Sequence, residues 1–281
     1  GPDSRLARWV GRAGGGRLAF YLAHMTVSPV LRGLQAAGFR AEIAGSMRRW
    51  RETVADADIL VACNDHEKPT KEFLRIVGEG VEVIGSGDTK TSIRTPDGFQ
   101  IDLRVVPEDV WGSALLHFTG SKEHNVRLRQ IAIGMGCSLS EYGLVRERDG
   151  KRLAGATEEE VYAALGLPFI PPEIREDQGE IEAALAGRLP DLIELSDIRG
   201  DCHSHTTESD GVHPLDELAR AARAKGYQYL VVTDHTQSLT IAHGLDPARL
   251  DRQLDAIARW NEANAEQDFR VLSGSEVDIL D

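Results

Sequence analysis

At 281 residues the chain can form two or three domains, each with its own core. Its 41% apolar and 27% charged residues are ordinary for soluble proteins, and no apolar run approaches membrane-spanning length, which excludes a membrane-spanning helix. Cys63, Cys137 and Cys202 are odd in number and not in CxxC spacing, which argues against a disulfide framework and for a reducing, cytoplasmic setting. The net charge of −13 is uneven: residues 1–150 hold 20 Lys+Arg against 19 Asp+Glu, whereas residues 151–281 hold 12 against 26. The first part can carry basic patches against a phosphate backbone, and the second is acidic, as a chain that collects cations would be.

No signal peptide pattern opens the chain, and residues 1–17, with glycines at 14–16, read as a lead-in or linker. Arg17 to Gly38 has helical periodicity, with a restart predicted at Ser28-Pro29, an N-cap followed by proline. Phe39 to Ala44 reads as a strand feeding the stretch GSMRRWRETVADAD, Gly45 to Asp58. Asp56 and Asp58 at i and i+2 share a strand face, where two bare carboxylates repel unless a cation lies between them. Oxygen pairs of this kind suit Mg²⁺ or Mn²⁺ together with substrate phosphates. Gly45 lets the backbone approach a ligand, Ser46 opens a short helix whose amides favour an anion, and Arg49 can fork onto a phosphate. A surface turn with a solvated acidic end is the simpler reading of a lone DxD. Here, however, the carboxylates lead straight into the buried-looking strand Ile59–Ala62.

A helix is predicted from Thr70 to Val77, and strands over 81–85, 90–94 and 99–106, the last two joined by the turn Pro96-Asp97-Gly98. Alternation puts Gln100, Asp102 and Arg104 on one face, so Asp102 can lie beside Asp56 and Asp58. Three carboxylates on neighbouring strands can hold two divalent ions, one activating a hydroxyl and one steadying a leaving pyrophosphate. The loop Gly85–Lys90 is glycine-rich but lacks the spacing of a phosphate loop.

The ungapped pattern GS-x-R-R-x-x-E-x-x-x-D-x-D, met by Gly45, Ser46, Arg48, Arg49, Glu52, Asp56 and Asp58, resembles the palm of the family X DNA polymerases, members of the nucleotidyltransferase superfamily. Ile101 to Pro107 is similar to the strand that carries that family's third catalytic carboxylate, here Asp102. Helices are predicted over 111–118 and 121–134, and the string HFTGSKEHNVRLR between Leu116 and Gln130 resembles the family's thumb motif. The resemblance implies that His117, Phe118 and Gly120 line the nucleotide pocket, with His117 standing where many relatives have Tyr. It also implies that Asn125 reaches the minor-groove edge of the nascent pair and Arg129 the template strand. Lys122, Arg127 and Arg129 make a basic helix face suited to duplex DNA. A small β-ribbon over 137–153, a helix over 157–165, an extended segment over 167–176 and a linker over 177–195 that is helical around Ile181 to Ala186 follow.

The second module begins with a strand ending in His203-x-His205, two imidazoles on one strand face. Asp210 lies in a polar loop, a helix spans 214–225, and the strand Tyr229–Thr233 delivers Asp234-His235. A second helix over 247–263 leads to the strand 270–273 and Glu276. Polar residues at the C-terminal ends of repeated βα units are where barrels place their sites. These motifs resemble the first ones of the PHP phosphoesterases, which have a distorted TIM-like barrel. The resemblance implies His203, His205, Asp210, His235 and Glu276 as ligands of Zn²⁺ or Mn²⁺, with His243 near the substrate at most. Full PHP domains continue further, so the resemblance implies an open, partial barrel with an incomplete metal cluster and weak or absent nuclease activity. Family X enzymes also carry a helix-hairpin-helix module ahead of the palm, which implies a chain shortened at both ends.

The expected fold is thus an α+β nucleotidyltransferase palm (18–110), a small α/β thumb (111–176), a linker (177–195) and the N-terminal part of a TIM-like PHP domain (196–281). The expected function is gap-filling DNA polymerisation in repair by a cytoplasmic monomer, on gapped or primer-template DNA with deoxynucleoside triphosphates. The PHP part adds a 3′-to-5′ exonuclease in the full-length parent. Two alternatives are a nucleotidyltransferase that extends RNA and a non-catalytic DNA-binding scaffold.

Overall fold

Residues 1–190 and 191–281 form separate units of a structure, a computed structural model, that describes residues 12–13 and 16–279. In the first unit β1 (Arg12–Ala13) pairs with β2 (Arg17–Ala19), so part of the expected lead-in is strand, while residues 1–11 and 14–15 lie outside the described residues. Helix α1 (Phe20–Ala36) runs unbroken through Pro29, which corrects the predicted restart. One missing amide is tolerated because Ala23, Val27, Val30 and Leu34 keep a continuous buried stripe on both sides of the proline.

Next come β3 (Arg40–Ile43), the single turn α2 (Gly45–Arg48), β4 (Thr53–Val54), which joins β2, and β5 (Asp56–Ala62). Helix α3 (Glu67–Val77) precedes β6 (Glu82–Ser86), β7 (Lys90–Arg94) and β8 (Gln100–Val106). The sheet runs β3–β5–β8–β7–β6, with β5 and β8 parallel and the other pairs antiparallel. Period-two alternation along β5 divides the two faces. Ile59 and Val61 join Val27, Leu34 and Phe73 in the main core, while Leu60 and Ala62 turn to a second cluster with Trp111, Ala114 and Leu115. Asp56 and Asp58 have the parity of that second face.

Helices α4 (Trp111–Thr119) and α5 (Lys122–Gly134) lead to a ribbon of β9 (Cys137–Ser140), β10 (Gly143–Arg146) and β11 (Arg152–Ala154). Ser121 caps α5 by accepting the His124 N–H, and Thr157 caps α6 (Glu158–Ala164), whose first turn is three glutamates. Within the 177–195 stretch the helix expected around Ile181 to Ala186 is α7 (Glu180–Leu185). Its Ile181 and Ala184 are buried against Leu128 and Tyr162, and its Glu180 bonds to the buried His124. An ionic knot ties these helices to α2. Glu158 accepts bonds from both Arg48 nitrogens (2.9 and 2.7 Å) and from the fully buried Arg175 (2.6 Å).

In the second unit β12 (Gly200–Ser204), β13 (Tyr229–Val232) and β14 (Arg270–Ser273) form a parallel sheet in that order. Helices α8 (Leu215–Ala224) and α9 (Pro247–Ala263) connect them, and Ala219, Ala222 and Ile257 pack on Leu230, Val232 and Val271. Asp246 caps α9 just ahead of a proline at its first position. Among the described residues no strand closes this sheet into a barrel, and no helix is long and apolar enough to cross a membrane.

Candidate active site and metal centre

Asp58 and Asp102 are register partners across the parallel pair β5–β8, and Asp56 begins β5 opposite Gln100. Two cations share this face. Lys90 Nζ lies 2.6 Å from Asp102 Oδ2, and Arg104 Nε lies 3.2 Å from Asp58 Oδ1. Burial raises the Asp58 carboxyl, Arg104 opposes that, and the nearby Asp56 and Asp102 add to the rise. For Asp102 burial also disfavours the charge, yet hydrogen bonds from Lys90, Ser92 and Gln100 outweigh it and hold the carboxyl below its ordinary value. The face is therefore a set of oxygens already demanding positive charge, which suits a hard divalent cation. Gly45 sits directly beneath it at φ +62°, and a Cβ there would stand 2.8 Å from Asp58 Oδ2. The turn thus needs glycine both for its backbone angle and for its closeness to the carboxylate.

The neighbouring residues are held in place by protein partners. Ser46 follows Gly45 within α2. Arg49 donates to Glu176 Oε1 (2.8 Å) and to the Thr119 carbonyl (2.5 Å), so its guanidinium faces the end of α4. Gly120 packs against the same guanidinium, with a Cβ position 3.1 Å from Arg49 Nη1. Phe118 lies under the Arg104 guanidinium at 4.4 Å from its centroid and meets His117 edge-on at 4.9 Å. Burial lowers the His117 pKa; Glu141 opposes this, while Arg129 and Arg104 reinforce it. Asn125 donates its amide to the His117 carbonyl at 2.7 Å, and Arg129 Nε donates to the Asn125 carbonyl. On α5 Lys122 is exposed, whereas Arg127 is paired with Asp177 (3.2 Å) and Glu182 (2.5 Å). Sequence reasoning missed Lys90 and Arg104 as counter-charges. Their positions two strand residues from Ser92 and Asp102 were the available signal.

In the second unit the strand ends converge on two groups with metal-ligand chemistry, His203–His205–Glu276 and His205–Asp210–His235. His203 Nε2 lies 2.9 Å from His205 Nε2 and 2.8 Å from Glu276 Oε2, and His205 Nε2 lies 3.1 Å from the same oxygen. His235 Nε2 stands 3.5 Å from Asp210 Oδ2. These separations compare with about 3.3 Å between donors of a tetrahedral ion bound at 2.0–2.1 Å. The buried His205 Nδ1 makes no hydrogen bond, although Asp210 Oδ1 stands 3.2 Å away. An orphaned nitrogen among carboxylates and imidazoles fits a transition-metal or zinc-type cation. All five sequence-named residues of this module are thus brought together, and His243 is outside both groups.

A DNA polymerase beta thumb family model matches residues 114–176. The chain is 45% identical over 240 residues to the DNA polymerase/3′-5′ exonuclease PolX of Bacillus subtilis, which covers 84% of this chain and 41% of that protein. It is 31% identical over 166 residues to DNA polymerase lambda of Rattus norvegicus, covering 50% of this chain and 29% of the relative. Repair DNA polymerase X of African swine fever virus is 27% identical over 139 residues, 47% of this chain and 78% of the viral protein. The chain therefore spans about two fifths of the PolX relative's length.

Proposed function

Since this chain is a PolX-like protein of the family X DNA polymerases, with a β-type thumb and a cluster of metal-ligand residues, we propose that it fills short gaps in DNA during repair. The observation that carries this reading is Asp58 facing Asp102 across two parallel strands, with Asp56 at the start of the same face above the Gly45 turn. Asp56, Asp58 and Asp102 would hold Mg²⁺ or Mn²⁺, which when bound lowers the pKa of a primer hydroxyl and stabilises a leaving pyrophosphate. Until then Lys90 and Arg104 balance Asp102 and Asp58, so both side chains must yield when an ion arrives.

Gly45 and Ser46 admit the triphosphate, and Arg49 trades Glu176 and the Thr119 carbonyl for it. Phe118 and Gly120 line the sugar and base side of the pocket. His117 is there too, held neutral by its lowered pKa at neutral pH. Asn125 faces the nascent pair, and Lys122, Arg127 and Arg129 face the duplex phosphates, Arg127 by exchanging its acidic partners on α7. Palm 18–110 and thumb 111–176 are the working division of the first unit.

The second unit, from about residue 196, is the N-terminal part of a PHP barrel in this reading. His203, His205, Asp210, His235 and Glu276 would hold Zn²⁺ or Mn²⁺, the metal site that serves 3′-to-5′ phosphodiester cleavage in the full-length parent. Substrates are gapped or primer-template DNA and deoxynucleoside triphosphates, and the protein works as a monomer in the cytoplasm.

The test is incorporation of deoxynucleotides into a short-gapped duplex with Mg²⁺ or Mn²⁺, beside Asp102→Ala. Extension by the parent chain and loss by at least about a thousandfold in the variant is expected, since charge stabilisation by metal ions supplies several kcal/mol. Duplex binding with no extension under either ion would point instead to a scaffold, and extension of RNA primers alone to an RNA-specific transferase.

A further inference from the structure

The segments that bring the metal-binding residues of the second unit together meet on a buried side chain outside both groups. Asp234, which precedes His235, is only 2% exposed. Its Oδ1 accepts the Thr206 N–H (2.8 Å) and the Ser209 hydroxyl (2.5 Å). Its Oδ2 accepts the Thr206 hydroxyl (2.6 Å) and the Gln253 amide. A carboxylate oxygen offers about two acceptor sites, so both oxygens are saturated and neither is free to ligate an ion. All four donors are neutral. A carboxylate buried without a cation is costly, and a purely mechanical anchor at this place could be uncharged.

The bonds reach every segment that must be registered. Thr206 organises the loop bearing Asp210, because its carbonyl accepts the N–H groups of Ser209 and Gly211 and its hydroxyl accepts that of Glu208. Gly211 lies so close to the His205 carbonyl that a Cβ would stand 2.1 Å from it, so the loop is pressed onto the His-x-His strand end. Gln253 comes from α9, and the Asp234 carbonyl itself accepts the Glu276 N–H at 3.3 Å. One residue thereby sets Asp210, His235 and Glu276 relative to His205.

We propose that Asp234 is the positioning residue that preorganises the metal cluster; the inference rests on the metal-binding reading above. Groups that orient metal ligands typically contribute 10–100-fold in affinity, roughly 1.4–2.7 kcal/mol. The test uses the full chain, with Zn²⁺ affinity measured by competition against a chromophoric chelator and the ligand field read from Co²⁺ absorption. Asp234→Asn should weaken Zn²⁺ binding by about 10–100-fold and alter the Co²⁺ bands, with the metal-free far-UV spectrum unchanged. Gln253→Met, which removes one bond to Asp234, leaves Asp234 in place and touches no ligand, should move both readouts in the same direction by less, and it decides the matter alone if Asp234→Asn does not fold. Ile257→Val, a core change in the same unit, should bind as the parent does. Unchanged affinity and spectrum in the Asp234 and Gln253 variants would overturn the inference, as would an equal loss in Ile257→Val. A parent chain that takes up neither ion would instead overturn the metal reading, and this inference with it.

Discussion

Replacing Glu158 by Gln probes whether the ionic knot between α2 and α6 holds the first unit together. Glu158 is 6% exposed and receives three charge-assisted bonds, two from Arg48 and one from Arg175, whose side chain is fully buried. Glutamine keeps the shape and one acceptor but leaves two guanidinium groups facing an amide. Removing one partner of a buried ion pair costs roughly 3–5 kcal/mol, and the retained oxygen places this change near the lower figure. For a unit of this size each kcal/mol lowers the melting temperature by about 2–4 °C, so a drop of about 6–12 °C is expected in the first unit's calorimetric transition at pH 7. The pH dependence supplies a second check. Burial works against the Glu158 charge, but Arg48 and Arg175 outweigh it and lower the carboxyl from its ordinary value of 4.5. A lowered carboxyl contributes stability that is complete above the ordinary value and lost as pH falls through the lowered one. The gap between parent and variant should therefore be full at pH 7 and close only on acidification below about pH 4.5. A shift under 2 °C at pH 7, or a gap that widens in acid, would refute the argument.

Gly45→Ala should cut gap-filling sharply, because the new Cβ pushes Asp58 and residue 45 cannot hold φ +62° without strain; single-turnover incorporation checks this, and parent-like rates would remove Gly45 from the site. Lys90→Met leaves the nearly buried Asp102 without its cation, so the metal-free melting temperature should fall by a few degrees and recover in part on adding Mg²⁺. Identical Mg²⁺ responses in parent and variant would show that Lys90 is not standing in for an ion. Zn²⁺ at one hundred times its dissociation constant should stabilise the second unit by about 2.7 kcal/mol, seen as a raised second transition. His205→Ala should abolish that rise, since His205 belongs to both ligand groups; a persisting rise would place the ion elsewhere.

Much of this molecule was legible locally. The i, i+2 spacings put Asp56 with Asp58 and His203 with His205 because a strand alternates its side chains whatever surrounds it. Ser121, Thr157 and Asp246 end up as N-caps, as short polar side chains before helical runs do, since each accepts a free amide within three residues. Alternation in β8 also placed Asp102 on the face of Gln100 and Arg104. What the sequence could not decide depends on register and packing between distant segments. The β7–β8 pairing, not any motif, brings Lys90 to Asp102 across the sheet. Helix α1 runs through the restart expected at Ser28-Pro29 because tertiary burial of one stripe outweighs a single lost amide bond. The helix expected around Ile181 to Ala186 is α7, but its packing was not legible: only the folded chain brings Ile181 and Ala184 into an apolar cluster and Glu180 to His124. Asp234, in sequence merely the neighbour of a ligand, acquired its role from Thr206, Ser209 and Gln253, whose donors only the folded chain gathers around one carboxylate.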